Sequence, residues 1–197
     1  MKRFLIYAAI AVLVASSASA QSMTKPLSLY LKGGVSLPQS DFETGFKMGY
    51  HGSAAVGLKF LQAVEAVACI SYHSFSPDFP EDSDADGGRF TALLYGGEGK
   101  LNLGAPMANP FIVAGAGLAR IQVTETEYGA AGNQATAPSQ SMTRSYFTFG
   151  AGLEFERLFV EARYIKILDD IDMKNISTDV DEENTIVFIP VSVGLKF

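Results

Sequence analysis

This sequence predicts an all-β fold: an eight-stranded antiparallel up-and-down transmembrane β-barrel, with short turns at one rim and long loops at the other. Three observations predict it. Eight segments have strand-like composition or alternate apolar and polar side chains with period two. The connections between them alternate short and long. Several strands end on a shared pattern, seen in Val56-Gly57-Leu58-Lys59-Phe60 and again in Val193-Gly194-Leu195-Lys196-Phe197.

The first twenty residues predict a cleaved leader. Lys2 and Arg3 make a charged start, and Phe4 to Val14 form an apolar run of about 11 residues before the small-x-small triplet Ala18-Ser19-Ala20. The run falls short of the roughly 20 apolar residues a spanning helix needs, and the three features in order outweigh a buried core helix. Cleavage after Ala20 leaves residues 21–197 as one barrel domain; losing Lys2 and Arg3 moves the formal charge from −6 to −8.

The strands follow in order: Ser28–Leu37, Gly49–Phe60, Val64–Ser74, Arg89–Leu103, Pro110–Val123, Arg144–Phe155, Leu158–Leu168 and Thr185–Phe197. Each is about as long as the 9–11 residues a tilted strand needs to cross an outer membrane, or longer. Strands two and three join around Gln62, four and five around Ala105-Pro106-Met107, six and seven through Glu156-Arg157. The remaining connections, Pro38–Met48, Phe75–Gly88, Thr124–Thr143 and Asp169–Asn184, are long. A soluble sandwich has no reason to sort its loops this way. A transmembrane barrel does, with short periplasmic turns and longer outer loops.

Parity then assigns the faces. Residues two apart share a side of a strand, so Leu58/Phe60, Leu153/Phe155 and Leu195/Phe197 face lipid while Lys59, Glu154 and Lys196 face the lumen. The same rule predicts a lumenal charge network of Lys32, Lys59, Glu65, Glu98, Lys100, Arg120, Glu154, Glu156, Glu161, Arg163 and Lys196, close to balance in sign. A Lys or Arg facing lipid at mid-membrane would cost roughly 2–4 kcal/mol. Inside a narrow barrel opposite charges can pair instead, and eight strands leave an interior that side chains fill. The expectation is a plugged barrel. Strand seven fits the parity poorly, with Phe159, Ile165 and Ile167 on its inner face, and Pro190 interrupts strand eight; strand edges or bulges are expected to absorb both.

The acidic balance argues against nucleic acid, which needs a basic face, and against a polybasic lipid anchor. Cys69 stands alone, so no intrachain disulfide can form. It reads as a small buried residue of the wall, sharing parity with Glu65, Val67, Ser71 and His73.

With these residues in view, the chain resembles the small outer-membrane β-barrel domain family, whose members are mostly eight-stranded. The likeness lies in Leu29-Tyr30-Leu31-Lys32-Gly33-Gly34, the Pro110–Gly117 run, Phe149–Phe155, Val160-Glu161-Ala162-Arg163-Tyr164 and Val191–Phe197. The resemblance implies an integral protein of the bacterial outer membrane. It also implies that Ile189, Val191, Val193, Leu195 and Phe197 form an assembly signal read by the outer-membrane insertion machinery. Lipid and lipopolysaccharide would be its surroundings. The chain departs from such barrels in having no Trp; Tyr30, Tyr50, Tyr72, Tyr146 and Tyr164 are candidates for the interfacial role.

Two constellations bear on chemistry. Asp82-Ser83-Asp84-Ala85-Asp86-Gly87 matches the first half of a calcium loop, offering Asp82, Asp84 and Asp86 as oxygen ligands for Ca2+ or Mg2+. The place of the bidentate Glu is taken by Leu93, so a solvated acidic loop is the stronger reading. His51 and Ser53, with His73 on the neighbouring strand, resemble a base and nucleophile. Some outer-membrane barrels modify lipid A with such pairs, but parity turns these residues to the lumen. No cofactor, catalytic residue or firm metal site is expected. The leading function is a non-enzymatic envelope protein with a structural or surface-interaction role; the alternatives are a lipid A-modifying enzyme and a narrow channel for small solutes.

Overall fold

The chain closes into the expected barrel in a computed structural model that describes residues 27–61, 63–79, 86–104, 108–128, 135–168 and 186–197. The strands are β1 Leu27–Gln39, β2 Gly49–Lys59, β3 Val64–Phe75, β4 Phe90–Asn102, β5 Asn109–Val123, β6 Gln140–Phe155, β7 Leu158–Ile167 and β8 Val187–Lys196. Each pairs antiparallel with its neighbour in sequence, and β1 pairs with β8, so no strand edge of the cylinder is left open. A five-residue helix, α1 Asp41–Gly45, lies in the first long loop. Two- and three-residue strands at Asp86–Gly87, Thr126–Tyr128 and Ala135–Ala137 form a small separate sheet.

Every barrel ladder keeps one register from end to end. Following partners round the wall from Ser28 leads through Gly57, Val67, Glu98, Gly115, Thr148, Ile165 and Phe188 to Pro38, ten residues along the starting strand. That stagger tilts the strands and sets a narrow bore. The bulges expected around strand eight are absent from these ladders. β8 pairs continuously with β1 through Ser36↔Pro190, while its ladder with β7 skips Arg163 and Tyr164 and resumes in the same register. Pro190 has no N–H to donate, and the chain accommodates that loss as a local gap on one side.

Polarity is inverted relative to a soluble domain. Outward positions carry Leu29, Leu31, Ile70, Ile112, Phe149, Val191 and Val193, all exposed, while Glu65, Glu98, Lys100, Glu154 and Glu161 are buried in the lumen. At the rim of the short turns, Phe60, Phe155 and Phe197 are exposed beside Leu58, Leu153 and Leu195, the girdle that the repeated strand endings predict.

The wall is uneven in height. β4, β5 and β6 run 13, 15 and 16 residues, against 10 each for β7 and β8. At the loop end of the tall side, exposed polar residues Arg120, Gln122, Ser141, Thr143 and Ser145 succeed the apolar positions.

Candidate functional site: the layered lumen

The lumen is stacked in layers, each built by side chains of alternating parity from several strands. Nearest the short turns, Lys100 and Lys196 both donate to Glu154, at 2.6 and 2.5 Å. The Lys100 ammonium lies 4.2 Å from the Phe111 ring centre and 4.8 Å from that of Tyr30, both within cation–π range. Tyr30 donates its hydroxyl to Glu65 at 2.8 Å. An aromatic layer follows, in which Phe159 meets Tyr30 edge-on at 5.8 Å and packs near Phe111 at 6.4 Å.

The central layer is ionic. Arg163 forks onto Glu161, Nε to Oε1 at 2.7 Å and Nη2 to Oε2 at 3.1 Å, and its Nη1 reaches Glu98. Lys32 donates to Glu161 at 2.5 Å, and the Cys69 thiol donates to Glu98 at 3.3 Å. Both carboxylates are almost fully enclosed. Buried charges of this kind persist only when paired and hydrogen-bonded, and a bidentate guanidinium fork fixes geometry as well as charge.

Above it lies a histidine–serine layer. Ser36 Oγ stands 3.1 Å from His51 Nδ1 and 3.0 Å from His73 Nδ1; His51 Nε2 meets Ser192 Oγ at 2.8 Å, and His73 Nε2 meets Ser71 Oγ at 3.1 Å. One hydroxyl carries one proton. Ser36 can therefore donate to at most one of the two rings and accepts from the other. The rings stack at 5.1 Å. Last comes an apolar cap of Phe75, Phe90, Phe188, Leu94, Ile121 and Ile167, closed by Phe42 from α1.

These layers account for the inner face of strand seven. Phe159 belongs to the aromatic layer, and Ile165 and Ile167 to the cap; they face inward because parts of the lumen are apolar. Two predicted lumenal charges are placed elsewhere. Arg120 faces outward, exposed between buried Ala119 and Ile121. Glu156 sits exposed in the β6–β7 turn with φ 51°. In place of Arg120 the lumen holds Arg144, the ladder partner of Ala119, which sequence reading missed although it shares parity with Glu154. Lys59 turns inward opposite Glu65 at the mouth, where it lines a vestibule of about 350 Å3 with Lys196, Glu156 and Arg157.

The catalytic constellation does not assemble. Ser53 donates to the Ile70 carbonyl at 2.9 Å, and both nitrogens of His51 are taken by Ser36 and Ser192. Among the described residues no carboxylate bonds to either histidine. Asp82, Asp84, the Asp86 side chain and the leader all lie outside what the structure describes. Ile189, Val191, Val193, Leu195 and Phe197 form one outward face, Ile189 half-buried and the others exposed.

Solved structures with similar coordinates were found. The N-terminal β-barrel domain of Pseudomonas aeruginosa OprF is 17% identical, with 88% of this chain and 98% of that one covered and a TM-score of 0.46. Neisserial surface protein A is 13% identical over 87% and 96%, TM-score 0.49. The outer membrane enzyme PagL is 16% identical over 87% and 98%, TM-score 0.46. This chain is an eight-stranded barrel. That statement rests on its own closed ladder, since a likeness this distant carries neither activity nor ligand. No family model and no curated protein matches the sequence.

Cavities of about 20 Å3 lie between the ionic and histidine layers and beside the aromatic layer. Each has room for about one water molecule.

Proposed function

We propose that the chain is an integral protein of the bacterial outer membrane, non-enzymatic, with a filled lumen and a structural or surface-contact role. The observation that carries this reading is the inversion of polarity: an exposed apolar belt outside, and ion pairs sequestered within. Water would penalise that belt by roughly 25 cal/mol per Å2, whereas lipid does not. A closed barrel also meets the demand that every backbone group in a membrane be satisfied within the protein. The long polar wall of β4–β6 supports surface contact, since it carries strand and exposed polar side chains past the apolar belt. Lipid, lipopolysaccharide and the insertion machinery reading the β8 face are the partners that go with this reading.

The test is fractionation of cells making the full precursor, followed by gel mobility with and without boiling. The expected result is a membrane-bound product whose unboiled form migrates faster. A freely soluble product with no such shift refutes the placement, and a stable large single-channel conductance from the purified protein refutes the filled lumen.

A further inference from the structure

The apolar cap differs from the other layers in one respect: its central ring does not come from the wall. Phe42 reaches it from α1 and is 2% exposed. Its ring lies 5.0 Å from Phe75 and 4.9 Å from Phe90, both edge-on, and 4.8 Å from Phe46. Leu94, Ile121 and Ile167 belong to the same buried cluster. Phe188 forms the floor and stands 4.9 Å above His73.

The segment that delivers this ring is weakly built. α1 has five residues and no side-chain cap, and its preceding residue Ser40 sits at φ 56°, ψ −138°, where an L-residue is strained. A helix this short has no stability of its own. Beyond the ring, the described attachments are the half-buried Phe46 ring, 5.5 Å from Phe90, the Phe46↔Pro77 bridge, backbone hydrogen bonds of 2.9 Å from Lys47 to Ser76 and from Asp78 to Gly45, and the exposed Lys47–Asp78 pair at 3.2 Å. An exposed pair of that kind contributes little. The Phe42 ring is the most deeply buried side chain of this segment, with Phe46 packed beside it.

We propose that the outer half of the lumen is a binding site for a small uncharged aromatic molecule, with Phe42 as its resident occupant and residues 40–48 as the lid that such a molecule displaces. Eight-stranded barrels can hold one small ligand, and sites lined by Leu, Ile and Phe stay dry and accept benzene-sized guests. The chemistry of the ligand follows from the occupant: a ring that offers its face and edges to Phe75 and Phe90 as Phe42 does. No charge is needed, because the cap presents none from Phe75, Phe90, Phe188, Leu94, Ile121 or Ile167.

Toluene is the probe, added to the refolded full barrel with methyl-labelled Ile, Leu and Val in deuterated detergent. The expected result is nuclear Overhauser contact from toluene to the Leu94, Ile121 and Ile167 methyls, with shifts in the amides of Ser40 to Lys47. Contacts confined to the outward methyls of Leu118, Val191 and Val193 would mean partition into the micelle and overturn the proposal. Ser40→Gly relieves the strain of the closed lid and is expected to weaken toluene binding severalfold; unchanged binding overturns displacement. Phe42→Ala is expected to bind more tightly, because no resident ring competes. Binding by Phe42→Ala with none in the wild-type chain also overturns the proposal, since the deletion would then have made the site.

Discussion

Replacing Arg163 by Met isolates the central ionic layer. In the intact barrel Arg163 forks onto Glu161 and reaches Glu98. Glu161 keeps Lys32 at 2.5 Å after the change, but Glu98 is left with the Cys69 thiol at 3.3 Å. Packing changes little: the methylenes of Arg163 lie over the Gly150 notch, where a methyl would stand 2.8 Å from Arg163 Cγ, and Met can follow the same path. The loss is therefore chiefly a stranded, buried carboxylate, which costs about 3–5 kcal/mol. Adding Glu98→Gln removes that charge, so the double variant is expected to recover about 2 kcal/mol of the loss, the size of coupling seen between directly bonded groups. Urea unfolding in phospholipid vesicles, followed by far-ultraviolet circular dichroism and gel mobility, reads both numbers. A single variant within about 1 kcal/mol of wild type would refute the argument, as would a double variant no more stable than the single.

Three further outcomes follow from the same geometry. Gly194→Ala places a methyl 2.3 Å from the Phe159 ring and 2.7 Å from the Leu31 carbonyl, whereas Gly97→Ala meets nothing within 4 Å; the first is expected to lose about 1–3 kcal/mol and the second almost none, by the same unfolding assay. Arg120→Ala, on the exposed outer wall, is expected to stay within about 0.5 kcal/mol of wild type, while Lys100→Met, which removes one of the two ammonium groups on Glu154 and leaves Lys196, is expected to lose about 1.5–3 kcal/mol in urea titration. Val191→Arg puts a guanidinium on the lipid face midway along β8 and is expected to lower folding stability in vesicles by about 2–4 kcal/mol, with a smaller folded fraction on unboiled gels.

Strand number, pairing order and most facing directions were legible because the lipid face is uniformly apolar, so alternation has a fixed meaning wherever the lumen is polar. That condition fails at the loop end. On β5 the inward Ala119, Ile121 and Val123 are themselves apolar, and Arg120 and Gln122 point out above the belt. Assigning charge to the lumen by default therefore misplaced Arg120. It also made Phe159, Ile165 and Ile167 look anomalous, when they face apolar layers of the lumen. Arg144 was readable from its parity with Tyr146, Thr148 and Glu154 and was missed. Phe42 left no comparable signal: one aromatic residue in a loop says nothing about which cavity it fills.

The glycines show how so narrow a bore holds this much. Several inward glycines stand beside a large side chain of a neighbouring strand: Gly57 at Glu65, Gly115 at Glu98, Gly150 at Arg163, Gly152 at Phe111 and Gly194 at Phe159. At each, a single methyl would stand within 3.0 Å of that side chain, closer than real carbons approach. The glycines of the repeated strand endings, Gly57, Gly152 and Gly194, are thus notches cut for Glu65, Phe111 and Phe159. In strand four the last glycine is no notch, for Gly99 faces outward with only the Ala114 carbonyl as near as 4.0 Å; there the inward Gly96 makes room instead, where a methyl would stand 2.8 Å from the Tyr146 hydroxyl. Small opposite large is what lets two ionic layers and an aromatic layer interdigitate at near-solid density inside eight strands. It also sets a direction for change: enlarging a notch residue displaces a charged or aromatic partner, so the lumen is easier to empty by truncating Arg163 or Phe159 than to refill from the glycine side.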